Sequence, residues 1–155
     1  MSTKVKICGI STPAALDAAI TGRADYCGLV FFAPSPRNVS PRTAADLAAR
    51  SGEAIRRVGL FVDADDALLA ESVAAGRLDA VQLHGDESPA RAAAIRARFG
   101  LPVWKALPVA KAADVAASDE WRGVVDLVLY DAKTPKGAAL PGGMGLRFDW
   151  GLLAH

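Results

Sequence analysis

Apolar residues along the chain gather in six short runs that are nearly continuous rather than alternating. They are Val5–Cys8, Tyr26–Phe32, Val58–Val62, Ala80–Leu83, Val103–Leu107 and Val125–Tyr130. Continuous apolar character predicts strands covered on both faces, as in a parallel sheet. Between them lie alanine-rich helical patterns at Pro13–Ile20, Pro41–Arg50, Asp65–Ala75, Ser88–Phe99 and Ala110–Trp121. Asp63 or Asp65 is placed to cap the third helix, and Ser88 with Pro89 behind it opens the fourth. Gly22, Gly52, Gly76 and Gly100 follow the first four helices, where a left-handed residue closes the last turn. Repeated strand, helix, strand predicts a parallel sheet with right-handed crossovers.

The spacing of the runs sharpens this picture. They begin at Val5, Tyr26, Val58, Ala80, Val103 and Val125, at intervals of 21, 32, 22, 23 and 22 residues. A near-constant unit predicts a repeated βα module, as in a (β/α)8 barrel. The long interval contains an extended loop, Ala33-Pro-Ser-Pro-Arg-Asn-Val-Ser-Pro41, and a structureless segment at a βα junction usually serves function. A closed barrel needs eight units, whereas the chain stops at His155 as a sixth helix begins after Phe148-Asp-Trp150. From the pattern alone, two architectures stand: an open doubly wound sheet of six strands, or a barrel lacking its last two units. Either way 1–155 reads as a single domain.

Composition adds exclusions. The net charge is +1, with 52% hydrophobic and 23% charged residues, so no global field argues for nucleic acid or a membrane surface. Two cysteines do not make a disulfide framework. No signal-peptide h-region or bilayer-length apolar run is present. The expectation is a cytoplasmic protein, monomer or homodimer, acting on a small molecule.

In either architecture the chemistry sits at the carboxyl ends of the strands. Cys8, followed at once by Gly9, ends the first. Its thiol is a candidate base or nucleophile, or simply a small buried hydrophobe. Cys27 lies inside the second strand and is assigned no role. Arg37 sits in the proline-stiffened loop, where a guanidinium matches a carboxylate or phosphate in bidentate fashion. Asp63 follows the third strand. Gln82-Leu-His84-Gly-Asp86 closes the fourth, with Gln82 and His84 as lining or strand-end hydrogen bonders. Lys105 with Pro108 is counted at the end of the fifth. Asp131 follows an apolar run, and burial there raises a carboxyl pKa so that it can donate a proton. Pro141-Gly142-Gly143-Met144-Gly145 is an anion-binding nest, a lid or a plain glycine turn. No metal site is predicted, because only two histidines exist and no CxxC or HxxxH pairing occurs.

Taken together, six pieces resemble the phosphoribosylanthranilate isomerase family of the tryptophan pathway. They are Lys6-Ile-Cys-Gly9, Gly28-Leu-Val-Phe-Phe-Ala-Pro-Ser-Pro-Arg-Asn38, Val58-Gly-Leu-Phe-Val-Asp63, Val81-Gln-Leu-His-Gly-Asp86, Tyr130-Asp-Ala-Lys133, and Gly142-Gly-Met-Gly145 with Phe148-Asp-Trp150. They fall in the family's order and span nearly the whole chain. The resemblance implies an α/β fold, a (β/α)8 TIM-type barrel truncated after the sixth strand. It implies an Amadori rearrangement of N-(5-phosphoribosyl)anthranilate, a phosphosugar, with no cofactor. It makes Cys8 the general base, Asp131 the general acid, and Arg37 the holder of the anthranilate carboxylate. Strands one and six lie well apart on a barrel rim, which would set the two groups across a bound ring. Gln82, His84, Gly142 and Gly143 are the further substrate-binding candidates. Two departures stand out. Met144 replaces a small polar residue in the glycine loop, and the phosphate-binding units seven and eight are not in the sequence. A chain complete at His155 would be an inactive fragment or an open-sheet binding module. Rival enzymes on the same scaffold, a sugar-phosphate epimerase or an indole-glycerol-phosphate synthase, want metal ligands or a lysine with paired glutamates.

Overall fold

A computed structural model describes residues 3–135, 137–138, 142 and 145–154. Among them six strands alternate with helices. The order is β1 (Lys6–Cys8), α1 (Pro13–Thr21), β2 (Tyr26–Phe31), α2 (Pro41–Ser51), β3 (Arg56–Phe61) and α3 (Asp66–Gly76). It continues with β4 (Ala80–Leu83), α4 (Pro89–Phe99), β5 (Val103–Val109), α5 (Ala112–Ala116) and β6 (Leu127–Ala132). The six-stranded sheet keeps the order of the chain, β1-β2-β3-β4-β5-β6. That decides between the two architectures. A doubly wound sheet reverses direction at a switch point, whereas sequential order belongs to a (β/α)8 barrel. The chain folds into two compact units, Met1–Val81 and Gln82–His155.

In the first unit β1 pairs with β2 and β2 with β3, all parallel, with Cys8 opposite Gly28 and Phe31 opposite Phe61. The two phenylalanine rings stack with centroids 5.2 Å apart. Leu16, Leu29, Val58, Phe61 and Leu69 are fully buried there. In the second unit β5 pairs with β6 in parallel, and Leu83, Ile95, Val103 and Val109 are fully buried. The caps follow the sequence. Ser40, Asp65 and Ser88 each accept from the backbone amide three residues on, satisfying a donor that the first helical turn leaves open.

The glycine expectation needs correcting. Gly22 has φ of −73°, and Gly76 lies inside α3. The left-handed residues are Arg23 (φ 55°) and Arg77 (φ 44°), one place later. At both ends a pair of backbone bonds closes the turn: Arg23 N to Ile20 O with Ala24 N to Ala19 O, and Arg77 N to Ala74 O with Leu78 N to Val73 O. Only Gly52 and Gly100 take positive φ as expected. Gly76 answers to packing instead, since a Cβ there would stand 2.8 Å from Leu78 Cδ2. The fifth helix is shorter than expected: α5 gives way to a 3-10 turn over Ala117–Trp121, a segment holding Ser118 and Asp119, both weak helix formers. After Phe148, likewise, a 3-10 turn stands at Trp150–Leu153.

One device recurs at the amino ends of the strands. Asp25, Asp79 and Asp126 precede β2, β4 and β6. Each gives its own amide to the carbonyl of Val5, Arg57 and Val103 respectively, at 2.8–2.9 Å. Each carboxylate accepts the amide of that same residue, at 2.8, 2.7 and 2.9 Å. Each also meets a cation: Lys4 at 2.7 Å, Arg57 at 3.2 Å and Arg96 at 2.8 Å. These reciprocal bonds fix where each even strand starts against the strand before it. No described helix is long and apolar enough to cross a membrane.

Candidate active site

The first unit carries Cys8 and Arg37. At the end of β1 the chain turns at Gly9, whose φ of 83° is left-handed space that glycine enters without strain. The amides of Gly9 and Ile10 both donate to the Gly28 carbonyl at 2.9 Å. A Cβ at Gly28 would stand 2.8 Å from Cys8 Sγ, so the missing side chain makes room for the thiol. A Cβ at Gly9 would overlap Arg37 Cδ. The stem of Arg37 therefore lies across the glycine that follows Cys8. The thiol and Arg37 are both exposed. The two glycines are what bring the exposed thiol of Cys8 and the side chain of Arg37 to one lip.

The loop between β2 and α2 is not the structureless segment its prolines suggested. Ser35 N donates to Phe32 O at 2.9 Å and Asn38 N to Ser35 O at 3.0 Å. The Arg37 amide donates to Ser35 Oγ at 3.2 Å, and Val39 N returns to Val30 O at 2.9 Å. Serine side-chain acceptance of this kind builds a turn, and it holds the backbone of Arg37 against the end of β2. Cys27 is buried in β2, and burial pushes its thiol up to about 11. It stays protonated near neutral pH. Asp63, beyond β3, has a left-handed φ of 47°, which aspartate tolerates in turns.

The second unit carries Gln82, His84, Asp131 and Gly142. Gln82 is buried within β4 and His84 stands one residue past its end. Asp131 lies inside β6 rather than after it, opposite Pro108 of β5. Its Oδ2 is 3.3 Å from His84 Nε2, and its Oδ1 accepts the Ala132 amide at 2.9 Å. A Cβ at Gly142 would come within 2.5 Å of Asp131 Oδ2 and 2.7 Å of His84 Nε2. The backbone at Gly142 thus lies against this pair, and any side chain there would push the Asp131 carboxylate or the His84 ring aside. Gly143 and Met144 lie outside the described residues.

The electrostatics correct one expectation. The hydrogen bond from His84 holds the Asp131 carboxyl below the usual carboxylate range, and burial only partly opposes it. With 40% of its side chain exposed, Asp131 is too open for desolvation to win. Lys133, considered as a neighbour, instead reaches towards Asp114 at 3.9 Å. His84 and Asp131 are in direct contact, so removing either changes the surroundings of the other.

Lys105 needs a second correction. It does not stand at a strand end but in the buried middle of β5, paired with Glu87 at 2.8 Å. The sequence reading passed over Glu87 entirely. The available signal was Lys105 itself, because a lysine inside Val103-Trp-Lys-Ala-Leu107 must find a buried partner. Among the described residues no cluster of three or more His, Cys, Asp or Glu side chains forms a metal-binding group.

Comparison with known proteins agrees on one family. The family profile described as N-(5'phosphoribosyl)anthranilate (PRA) isomerase matches residues 5–155. An N-(5'-phosphoribosyl)anthranilate isomerase of Paramagnetospirillum magneticum is 53% identical over 153 residues, covering 99% of this chain and 71% of the relative. The crystal structure of phosphoribosyl anthranilate isomerase from Thermotoga maritima superposes with a TM-score of 0.85 at 32% identity, over 98% of this chain and 70% of that one. A further phosphoribosyl anthranilate isomerase, solved in complex with reduced 1-(o-carboxyphenylamino)-1-deoxyribulose 5-phosphate, superposes with a TM-score of 0.78. It is 30% identical, over 84% of this chain and 66% of that one.

Proposed function

Because the chain belongs to the N-(5'-phosphoribosyl)anthranilate isomerase family, we propose that it catalyses the Amadori rearrangement of N-(5'-phosphoribosyl)anthranilate to 1-(2-carboxyphenylamino)-1-deoxyribulose 5-phosphate. The reaction moves hydrogens and changes no overall oxidation state. Asp131 gives a proton to the ribose ring oxygen while the amine nitrogen pushes the ring open; because His84 holds its carboxyl low in the free protein, it takes up that proton only once bound substrate covers and desolvates it. Cys8, acting as its thiolate, then takes the proton from C2 of the resulting protonated Schiff base, and the C–H electron pair forms the C1=C2 bond of an enolamine. That enolamine gains a proton at C1 and loses one from the C2 hydroxyl, giving the ketone. One acid and one base suffice for these transfers.

Arg37 binds the anthranilate carboxylate through its planar fork. Gln82, His84 and Gly142 are the substrate's further binding residues, and Gly143 is assigned with them from the sequence alone. The observation that carries the reading is the lip at the end of β1. An exposed thiol stands beside a glycine that Arg37 crosses, so a group able to take a hydrogen and a group able to hold a carboxylate are neighbours. The test is steady-state turnover of the authentic substrate by Cys8→Ser. We expect kcat to fall by about 10²–10⁴-fold with KM little changed. Wild-type kcat in that variant would remove Cys8 from the mechanism.

A further inference from the structure

Within the second unit lies a pair of charges that the chemistry above does not use. Glu87 and Lys105 each leave only 4% of the side chain exposed, with Lys105 Nζ 2.8 Å from Glu87 Oε2. Trp121 covers the ammonium, its ring centroid 5.3 Å from Nζ. A buried ion pair is a weak source of stability, because desolving two charges costs about what their attraction returns. An apolar pair of similar size would hold β5 and the start of α4 together at least as well. What the apolar pair would not supply is the contact both charges make with one peptide. Glu87 Oε2 accepts the Gly85 amide at 3.0 Å, and Lys105 Nζ donates to the Gly85 carbonyl at 2.5 Å. Gly85 follows His84 directly, and His84 Nε2 meets Asp131 Oδ2 at 3.3 Å. Both polar groups of the residue after His84 are thus gripped from below, by partners fixed in the packed layer.

We propose that Glu87 and Lys105 are positioning residues: they clamp Gly85 and so hold the His84 ring on the carboxylate of Asp131. The inference rests on Asp131 being the acid of the rearrangement. It deepens that reading by naming what keeps the acid's partner in place. A backbone clamp suits the task, since glycine would otherwise leave the turn free to swing the imidazole away.

The test is the double variant Glu87→Met/Lys105→Met, which removes both grips while keeping the volume, read by the imidazole nitrogen NMR signals of His84. Only two histidines occur in the sequence, His84 and His155, so a His84→Gln variant assigns them. In the double variant the His84 signals should move towards those of Asp131→Asn, in which the partner's charge is lost. The thermal midpoint should stay near that of the unsubstituted protein, while kcat falls between about ten- and a hundredfold with KM unchanged. A purely structural pair would give the opposite pattern, with His84 signals unmoved, and that result overturns the proposal. Glu87→Gln keeps an acceptor and the packing, and should move the signals less in the same direction; no movement there overturns the proposal as well. The ring signals report on positioning without substrate, and turnover of Asp131→Asn reports on the acid, so the two assignments fail separately.

Discussion

Asp126 and Asp131 stand at opposite ends of β6 and do different work with the same carboxylate. Asp126 is saturated: the Val103 amide donates to it at 2.9 Å and Arg96 at 2.8 Å. Its own amide meets the Val103 carbonyl at 2.8 Å. Every one of those bonds fastens β6 to something rigid. Asp131 has one backbone donor, from the residue next to it, and one titratable partner, His84. A good part of its side chain remains open to solvent. The amino ends of the strands in both units spend aspartates on register, as Asp25 and Asp79 also show. At the carboxyl end of β6, Asp131 keeps part of its side chain exposed. A carboxylate already committed to fixed donors has little left for a substrate. One that keeps an exposed face beside a single side-chain partner can still meet a substrate, and the proposed role of Asp131 rests on that difference.

The contrast can be broken from either end. Removing the saturated carboxylate is expected to have the largest effect on stability. Asp126→Ala strands the Val103 amide and Arg96, and chemical denaturation should show a loss of about 1–3 kcal/mol, with kcat unchanged in the folded fraction. Next comes Arg37→Ala, at the carboxyl end of the strands in the first unit. It should raise KM about tenfold, roughly 1.4 kcal/mol of binding, and leave the thermal midpoint alone. A lower kcat with unchanged KM would instead make Arg37 part of the chemistry.

The smallest effect concerns acid. His84 depresses the Asp131 carboxyl in the folded state, so the pair contributes stability that is fully present above the unfolded carboxylate value of about 3.9. That contribution disappears as pH falls through the lower folded value. Between neutral pH and about pH 3 the unsubstituted protein should therefore lose slightly more stability than Asp131→Asn does. Because the group is substantially exposed, the difference should be no more than a few tenths of a kcal/mol. Equal acid sensitivity would mean that His84 does not engage Asp131 in solution.

The strands were legible because burial on both faces writes itself as unbroken apolar runs, and four of the six begin within one residue of their predicted start. Errors arose where side chains govern the backbone. β6 begins two residues late, since Asp126 is bound to Val103 before pairing starts, and it runs on to Ala132, opposite Val109. Cys8 and Arg37 were legible as chemistry, yet their neighbourhood was not. Nothing in the spacing of Gly9 and Arg37 tells that one lies across the other. Asp131 was legible as a carboxyl at a strand end, but the sign of its shift depends on His84, forty-seven residues away in the sequence. Glu87 left only an indirect trace, through the lysine it neutralises. Pairings distant along the chain are set by packing, and local pattern carries no record of them.

The central claim is that the carboxylate at the far end of β6 serves the reaction rather than the fold. It is tested most directly by measuring kcat and the thermal midpoint together on Asp131→Asn. A kcat reduced by about two orders of magnitude or more, with a midpoint within a few degrees of the unsubstituted protein, is the expected result. Unchanged kcat with a lowered midpoint would place Asp131 with Asp126, as one more carboxylate that holds strands together.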